Sequence, residues 1–229
     1  MKKILVTGSD GRFAKILKKT KSRHKFLFLN KKELNILNFN NIFKIVKKIK
    51  PKYILHLAAL SRPMSIHDKF ISKSIDTNIM GTCNLVKICY EFKIKLIYFS
   101  TNYVYPGTKG SYKETDPILP WNNYGWSKLG GECAVQMYKN SLIVRACMTE
   151  KPFIHRYAYK NVYTNFIYHE EFVKLFLKII DKKGVFNLGG NKNSIYNFAK
   201  KENRLIKTKL SRGEFPKRLD MNLNKFKSL

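Results

Sequence analysis

Acidic side chains are scarce in this sequence. It carries 15 Asp and Glu against 45 Lys and Arg, a formal net charge of +30 over 229 residues. The excess is spread along the whole chain, and Asn, Ile, Phe and Tyr are abundant beside Lys. It therefore reads as a compositional bias. No basic patch with interleaved aromatics and no known nucleic-acid module is present, so no specific nucleic-acid partner is expected. The field still draws in anionic cofactors and substrates. Long apolar runs are also missing, which argues against a membrane span or membrane partner. Met1-Lys2-Lys3 leads straight into a strand with no apolar signal region behind it, so the cytoplasm is the expected compartment. The four cysteines, Cys83, Cys89, Cys133 and Cys147, show neither Cys-x-x-Cys spacing nor a histidine at metal-like distance. Free, mostly buried thiols and no metal site are expected.

What is present alternates between two patterns. Lys3-Ile4-Leu5-Val6-Thr7 is a short β-branched run ending at Gly8, followed by Phe13, Ile16 and Leu17 at helical spacing. Between them lies Gly8-Ser9-Asp10-Gly11-Arg12-Phe13-Ala14. A glycine turn between strand and helix is where a dinucleotide's pyrophosphate binds: Gly8 permits the tight turn and Gly11 admits the phosphates. Further strands are expected at 25–29, 53–59, 95–100, 141–145 and 184–188. Helices are expected at 41–50, 78–92, 124–137, 170–180 and 195–202. Strands alternating with helices give an α/β fold, a doubly wound parallel sheet of Rossmann type. After the second strand stand Asn30, Lys31 and Lys32 where an acid would mark NAD. An amide and two cations suit a 2′-phosphate better, so NADPH is the expected cofactor, with NADH possible. His56, inside the third strand, is expected to be a satisfied core side chain.

Chemistry enters at Tyr124-Gly125-Trp126-Ser127-Lys128. Four residues apart on a helix, the phenol and the ammonium share a face. A fixed cation beside a phenol should lower its pKa, and a tyrosine so tuned can exchange a proton with a carbinol oxygen. Ser100-Thr101, at the end of a buried strand, falls where ligands bind in open α/β sheets.

With these motifs, the chain resembles the extended short-chain dehydrogenase/reductase family and, within it, the dTDP-4-dehydrorhamnose reductases. The matching segments run in family order: the Gly8–Ala14 turn, Leu57-Ala58-Ala59, Ser100 to Tyr105, Glu114-Thr115-Asp116-Pro117, Tyr124 to Glu132, Leu142 to Arg145, Gly184–Gly190, Ser194 to Ala199, and a closing Phe215 to Lys225. The resemblance implies that Tyr124 protonates the oxygen of a 4-keto sugar, Lys128 binds the nicotinamide ribose and Thr101 orients the substrate oxygen. It further implies that Gly11, Arg12 and Phe13 line the pyrophosphate, Asn35 and Ile36 meet the adenine, and Leu57, Ala58 and Ala59 back the cofactor. Asn102 would face the substrate. Arg62, Arg145, Arg156 and Arg218 are the cations best placed for a substrate diphosphate.

Two departures qualify that expectation. Ala146-Cys147-Met148 replaces the family's Thr-Ser-Trp type of segment, and the stretch from Met148 to His169 is short. The expected organisation is a dinucleotide-binding unit over 1–148, completed by 169–188, with a reduced substrate portion over 149–168 and 189–229. The expected activity is NADPH-dependent reduction of a nucleotide-linked 4-keto deoxysugar, with a homodimer possible. A sugar-nucleotide 4-epimerase, or a cofactor-binding regulatory subunit like the β subunit of methionine adenosyltransferase, are the alternatives.

Overall fold

The computed structural model describes residues 1–229. Six parallel strands form its centre: β1 (Lys3–Thr7), β2 (Lys25–Leu29), β3 (Tyr53–His56), β4 (Lys95–Thr101), β5 (Ser141–Ala146) and β6 (Gly184–Leu188), in the order β2-β1-β3-β4-β5-β6. Strands buried on both faces need continuous apolar runs, and β1 shows why. Ile4 and Val6 face one layer of helices, Leu5 faces the other, and all three are fully buried. On the first face lie α1 (Arg12–Lys18) and α5 (His169–Ile179), whose Phe13, Leu17, Phe172 and Phe176 pack on Leu55, Ile97 and Val144. On the second lie α2 (Phe39–Ile49), α3 (Gly81–Glu91) and α4 (Asn123–Gln136), which bring Ile42, Val46, Leu85, Ile88 and Val135 onto Ile54, Leu96 and Ile143. The molecule is the doubly wound α/β sheet expected from the sequence.

Local chemistry sets the helix ends. Asn38 caps α2 by accepting from Asn41 N–H at 2.9 Å, and Lys50, in the left-handed region at φ 50°, stops it before Pro51. Asn122 caps α4 in the same way, accepting from Gly125 N–H at 2.8 Å.

Two expected elements are corrected. β3 ends at His56, so Leu57, Ala58 and Ala59 leave the sheet towards its carboxyl edge. The helix expected from Asn78 begins earlier, at Ile71, and passes through a wide turn over Ile75–Met80 before α3. Asn78, within that turn, is held from outside: its amide donates to Leu60 O and Ser127 Oγ, and its oxygen accepts from Leu60 N–H.

The remaining chain builds a smaller layer beyond the carboxyl edge. Tyr157–Tyr159 pairs with Lys207–Lys209, Tyr163–Thr164 pairs with Asn193–Ser194, and α6 (Ile195–Lys200) closes over them. Phe153, Ala158, Val162, Ile195, Ala199 and Ile206 form a core of its own there. No helix is long and apolar enough to cross a membrane.

Candidate active site

β1 pairs with β2 on one side and with β3 on the other, and a switch of this kind opens a crevice at the carboxyl ends of the strands. A cleft of about 260 Å³ lies at that edge. Gly11, Arg12 and Phe13 enter it from the β1–α1 turn, Leu57, Ala59 and Arg62 from the segment after β3, and Thr101, Asn102 and Tyr103 from the end of β4. Tyr124 and Lys128 reach it from α4, and Cys147, Met148 and Glu150 from the chain after β5. Gly8 makes the first turn possible. At φ +68° and with the Ala58 backbone 2.6 Å from where a Cβ would stand, no side chain fits there. Gly125 allows a close approach on α4: a Cβ would lie 2.6 Å from Tyr103 O, so glycine lets the helix press against the turn that follows β4.

Thr101 and Tyr124 line the same cleft, and the Thr101 hydroxyl is near enough to favour the ionised phenol. The pKa of Tyr124 does not fall as expected. Burial raises it, against the pull of Thr101 and then of Arg62 and Arg12, so the free protein holds a protonated phenol. Lys128 is not among the groups acting on it. The residue is 4 % exposed, its ammonium sits 4.2 Å from the centre of the Tyr98 ring, and its pKa is pushed down to about 7 by burial, with Glu132 opposing. His56 is the satisfied core histidine expected, bonded at 3.0 Å to both Thr7 and Thr82.

Three of the four expected arginines lie outside the cleft. Arg145 is 2 % exposed and faces inward: Glu132 takes its Nη2 at 2.6 Å and its Nε at 3.0 Å, while Nη1 serves Tyr105 and Glu114 O. With all its nitrogens used in the interior it cannot meet a diphosphate. Arg156 is exposed away from the cleft, and Arg218 bonds Asp220 at 3.1 Å, which leaves Arg62 as the one cation of that set in the cleft. Ile36 packs against Gly81, and Asn35 bonds its own turn and Asn41. Asn30 accepts from Lys32 and Glu33 N–H, and Glu33 reaches back to Asn30 N–H at 2.8 Å. A carboxylate therefore does stand near the end of β2, turned onto the backbone, beside exposed Lys31 and Lys32. Asn102 lines the cleft, but its amide N–H groups go to Thr164 and Leu219 O.

The sequence reading missed Glu150, Tyr103 and His67. The Tyr103 ring packs edge-on to Tyr124 at 5.9 Å, and His67, 1 % exposed, lies 5.1 Å from it. Aromatic neighbours of this kind leave no spacing signal. Glu150 does leave one, as the only acid between Met148 and His169.

A doubly wound parallel sheet with a glycine turn after its first strand and Thr, Tyr and Lys at its carboxyl edge defines a Rossmann-like protein of the short-chain dehydrogenase/reductase type. The chain belongs to the RmlD substrate binding domain family, whose profile matches residues 1–188. It is 32 % identical over 154 residues to a dTDP-4-dehydrorhamnose reductase of Aggregatibacter actinomycetemcomitans, covering 65 % of this chain and 52 % of that protein. It is 31 % identical over 148 residues to methionine adenosyltransferase 2 subunit beta of Pongo abelii, covering 58 % and 42 %. The chain thus spans about half the length of the curated relatives it matches. A dTDP-4-dehydrorhamnose reductase from Bacillus anthracis, solved in complex with NADP, superposes with a TM-score of 0.88 at 21 % identity, covering 99 % of this chain and 91 % of the other.

Proposed function

We propose that this chain reduces the 4-keto group of a nucleotide-linked deoxysugar with NADPH. The observation that carries the reading is the meeting of Thr101 and Tyr124 in the cleft that the Gly11-Arg12-Phe13 turn and Lys128 also line. The residues present fit a dinucleotide. Gly8 makes the tight turn against the Ala58 backbone, Gly11 lines the cleft without a side chain to fill it, Arg12 and Arg62 supply positive charge, and the small Ala59 leaves room beside the backbone. Bound NADPH supplies a hydride to the carbonyl carbon. Thr101 Oγ1 donates to the carbonyl oxygen and orients it, and Tyr124 gives that oxygen its phenolic proton, leaving an alcohol. A phenol with a raised pKa is protonated at neutral pH, which suits a proton donor. Lys128, which lines the same cleft, would hold the ribose of the bound cofactor, and those hydroxyls would favour its charged form. The trio catalyses, and Arg62 serves the anionic end of cofactor or substrate.

The test is NADPH consumption against a panel of nucleotide-linked 4-keto-6-deoxyhexoses, with Tyr124→Phe as the control. Turnover that disappears in the Phe variant supports the reading. Tight NADPH binding with no oxidation on any member would sink it, in favour of a cofactor-binding regulatory role. The comparable identity to methionine adenosyltransferase 2 subunit beta keeps that second reading in view.

A further inference from the structure

Glu150 stands between the two guanidiniums of the cleft. Its side chain is 16 % exposed, Oε1 accepts from Arg62 Nη1 at 2.9 Å and from Arg12 Nη1 at 3.3 Å, and Oε2 lies 2.9 Å from Arg12 Nη1. Arg12 belongs to the glycine turn, Arg62 to the segment after β3, and Glu150 to the chain beyond β5, so one carboxylate ties three parts of the cleft wall. Its hold is imperfect. Oε2 is buried without an aligned hydrogen-bond donor, despite its closeness to Arg12. Two guanidiniums around one carboxylate leave a net positive charge, and they offer the paired donors that phosphate oxygens take.

We propose that Glu150 is a resident counter-ion in a diphosphate subsite formed by Arg12 and Arg62, and that a nucleotide's diphosphate must displace it to bind. This rests on the reading of the cleft as a nucleotide site. A carboxylate and a diphosphate cannot share the same two cations without like-charge repulsion, so each lowers the affinity for the other. Glu150 then sets how tightly the cofactor is held: it stabilises the empty cleft and weakens the filled one. A purely structural ion pair would do only the first.

The two roles separate by sign. Calorimetric titration of the full chain with inorganic pyrophosphate and with NADPH is run at one salt concentration on wild type, Glu150→Gln and Glu150→Asp. The melting temperature of each free protein is recorded alongside. Glu150→Gln is expected to lower the melting temperature of the free chain yet tighten both probes by about tenfold, within the usual span of coupling between sites. Aspartate, too short to span both guanidiniums, should give a smaller gain in the same direction, and it carries the test should the Gln variant not fold. Affinities at or below wild type in both variants overturn the proposal. Pyrophosphate bound more tightly by the variants, with NADPH bound by none, leaves the counter-ion standing and removes the dinucleotide reading. NADPH bound equally by all three does the reverse, and binding of neither probe to any of them removes both.

Discussion

Lys128 concentrates the conflict between packing and chemistry at this site. It is buried on α4 over an aromatic ring, and its pKa of about 7 means that burial costs the ammonium more than Glu132 returns. The unfolded chain holds that proton up to about 10.5, so between these values the unfolded state binds more protons and stability rises with pH. The penalty is fully present below pH 7 and is relieved as pH climbs. Lys95, pushed down to about 8 by burial, adds to the rise in the upper part of the window. Urea unfolding of the free chain from pH 6.5 to about 9 should show this slope, and Lys128→Met should flatten its lower part. An unchanged slope would mean that the ammonium is better solvated than the structure shows. NADPH binding should in turn take up a proton near pH 7, visible as a buffer-dependent heat. Arg145 is the opposite case, a cation fully matched inside. Arg145→Met leaves the Glu132 carboxylate unpaired at 0 % exposure, which should cost about 3–5 kcal/mol of stability in denaturant titration. A loss under about 1 kcal/mol would place the pair in water.

Helix α4 carries Tyr124 and Lys128, the two groups proposed for catalysis, and is positioned by glycine. Gly125→Ala puts a methyl 2.6 Å from Tyr103 O and 2.9 Å from the Pro120 side chain, so the helix must move off the end of β4. Tyr124 is the neighbouring residue, and a displacement near 1 Å can reduce turnover by roughly 100-fold. The expected outcome is a fall of that order in kcat with NADPH affinity changed only a few-fold. A kcat within threefold of wild type would show that α4 shifts without carrying the phenol away. The Tyr-x-x-x-Lys spacing was legible in the sequence because it is local. The ending of β3 at His56 was not, because Leu57, Ala58 and Ala59 are apolar enough to continue a strand. They leave the sheet where the Ala58 backbone closes on Gly8, a contact that no sequence window contains.

Across the whole molecule, the charge of +30 makes every anionic ligand's affinity depend on salt. NADPH should bind more tightly than NADH, by a margin that shrinks as salt rises. Lys31→Ala with Lys32→Ala should remove that margin, since both are exposed beside the end of β2. Fluorescence titration of both cofactors at two ionic strengths measures it. Equal affinities in wild type would put the preference with Glu33, the carboxylate near that strand end, whose Oε2 accepts from Asn30 N–H.

The sequence by itself determined the alternation of strands and helices, and therefore the parallel sheet, because apolar period and glycine breaks are properties of adjacent residues. It also determined Thr101, Tyr124 and Lys128 as candidates, since the residue types and the spacing of the last two are written in the chain. Electrostatics were decided elsewhere. Whether Tyr124 gains or loses acidity depends on how deeply the fold buries it, among neighbours such as His67 and Tyr103 that other parts of the chain bring against it. The same holds for the arginines. Arg145 and Arg62 look alike in sequence, but the inward turn of β5 gives one to Glu132, and the segment after β3 gives the other to the cleft. Glu150 meets Arg12 across 138 positions of chain, a pairing that only the closing of the sheet's carboxyl edge could bring about.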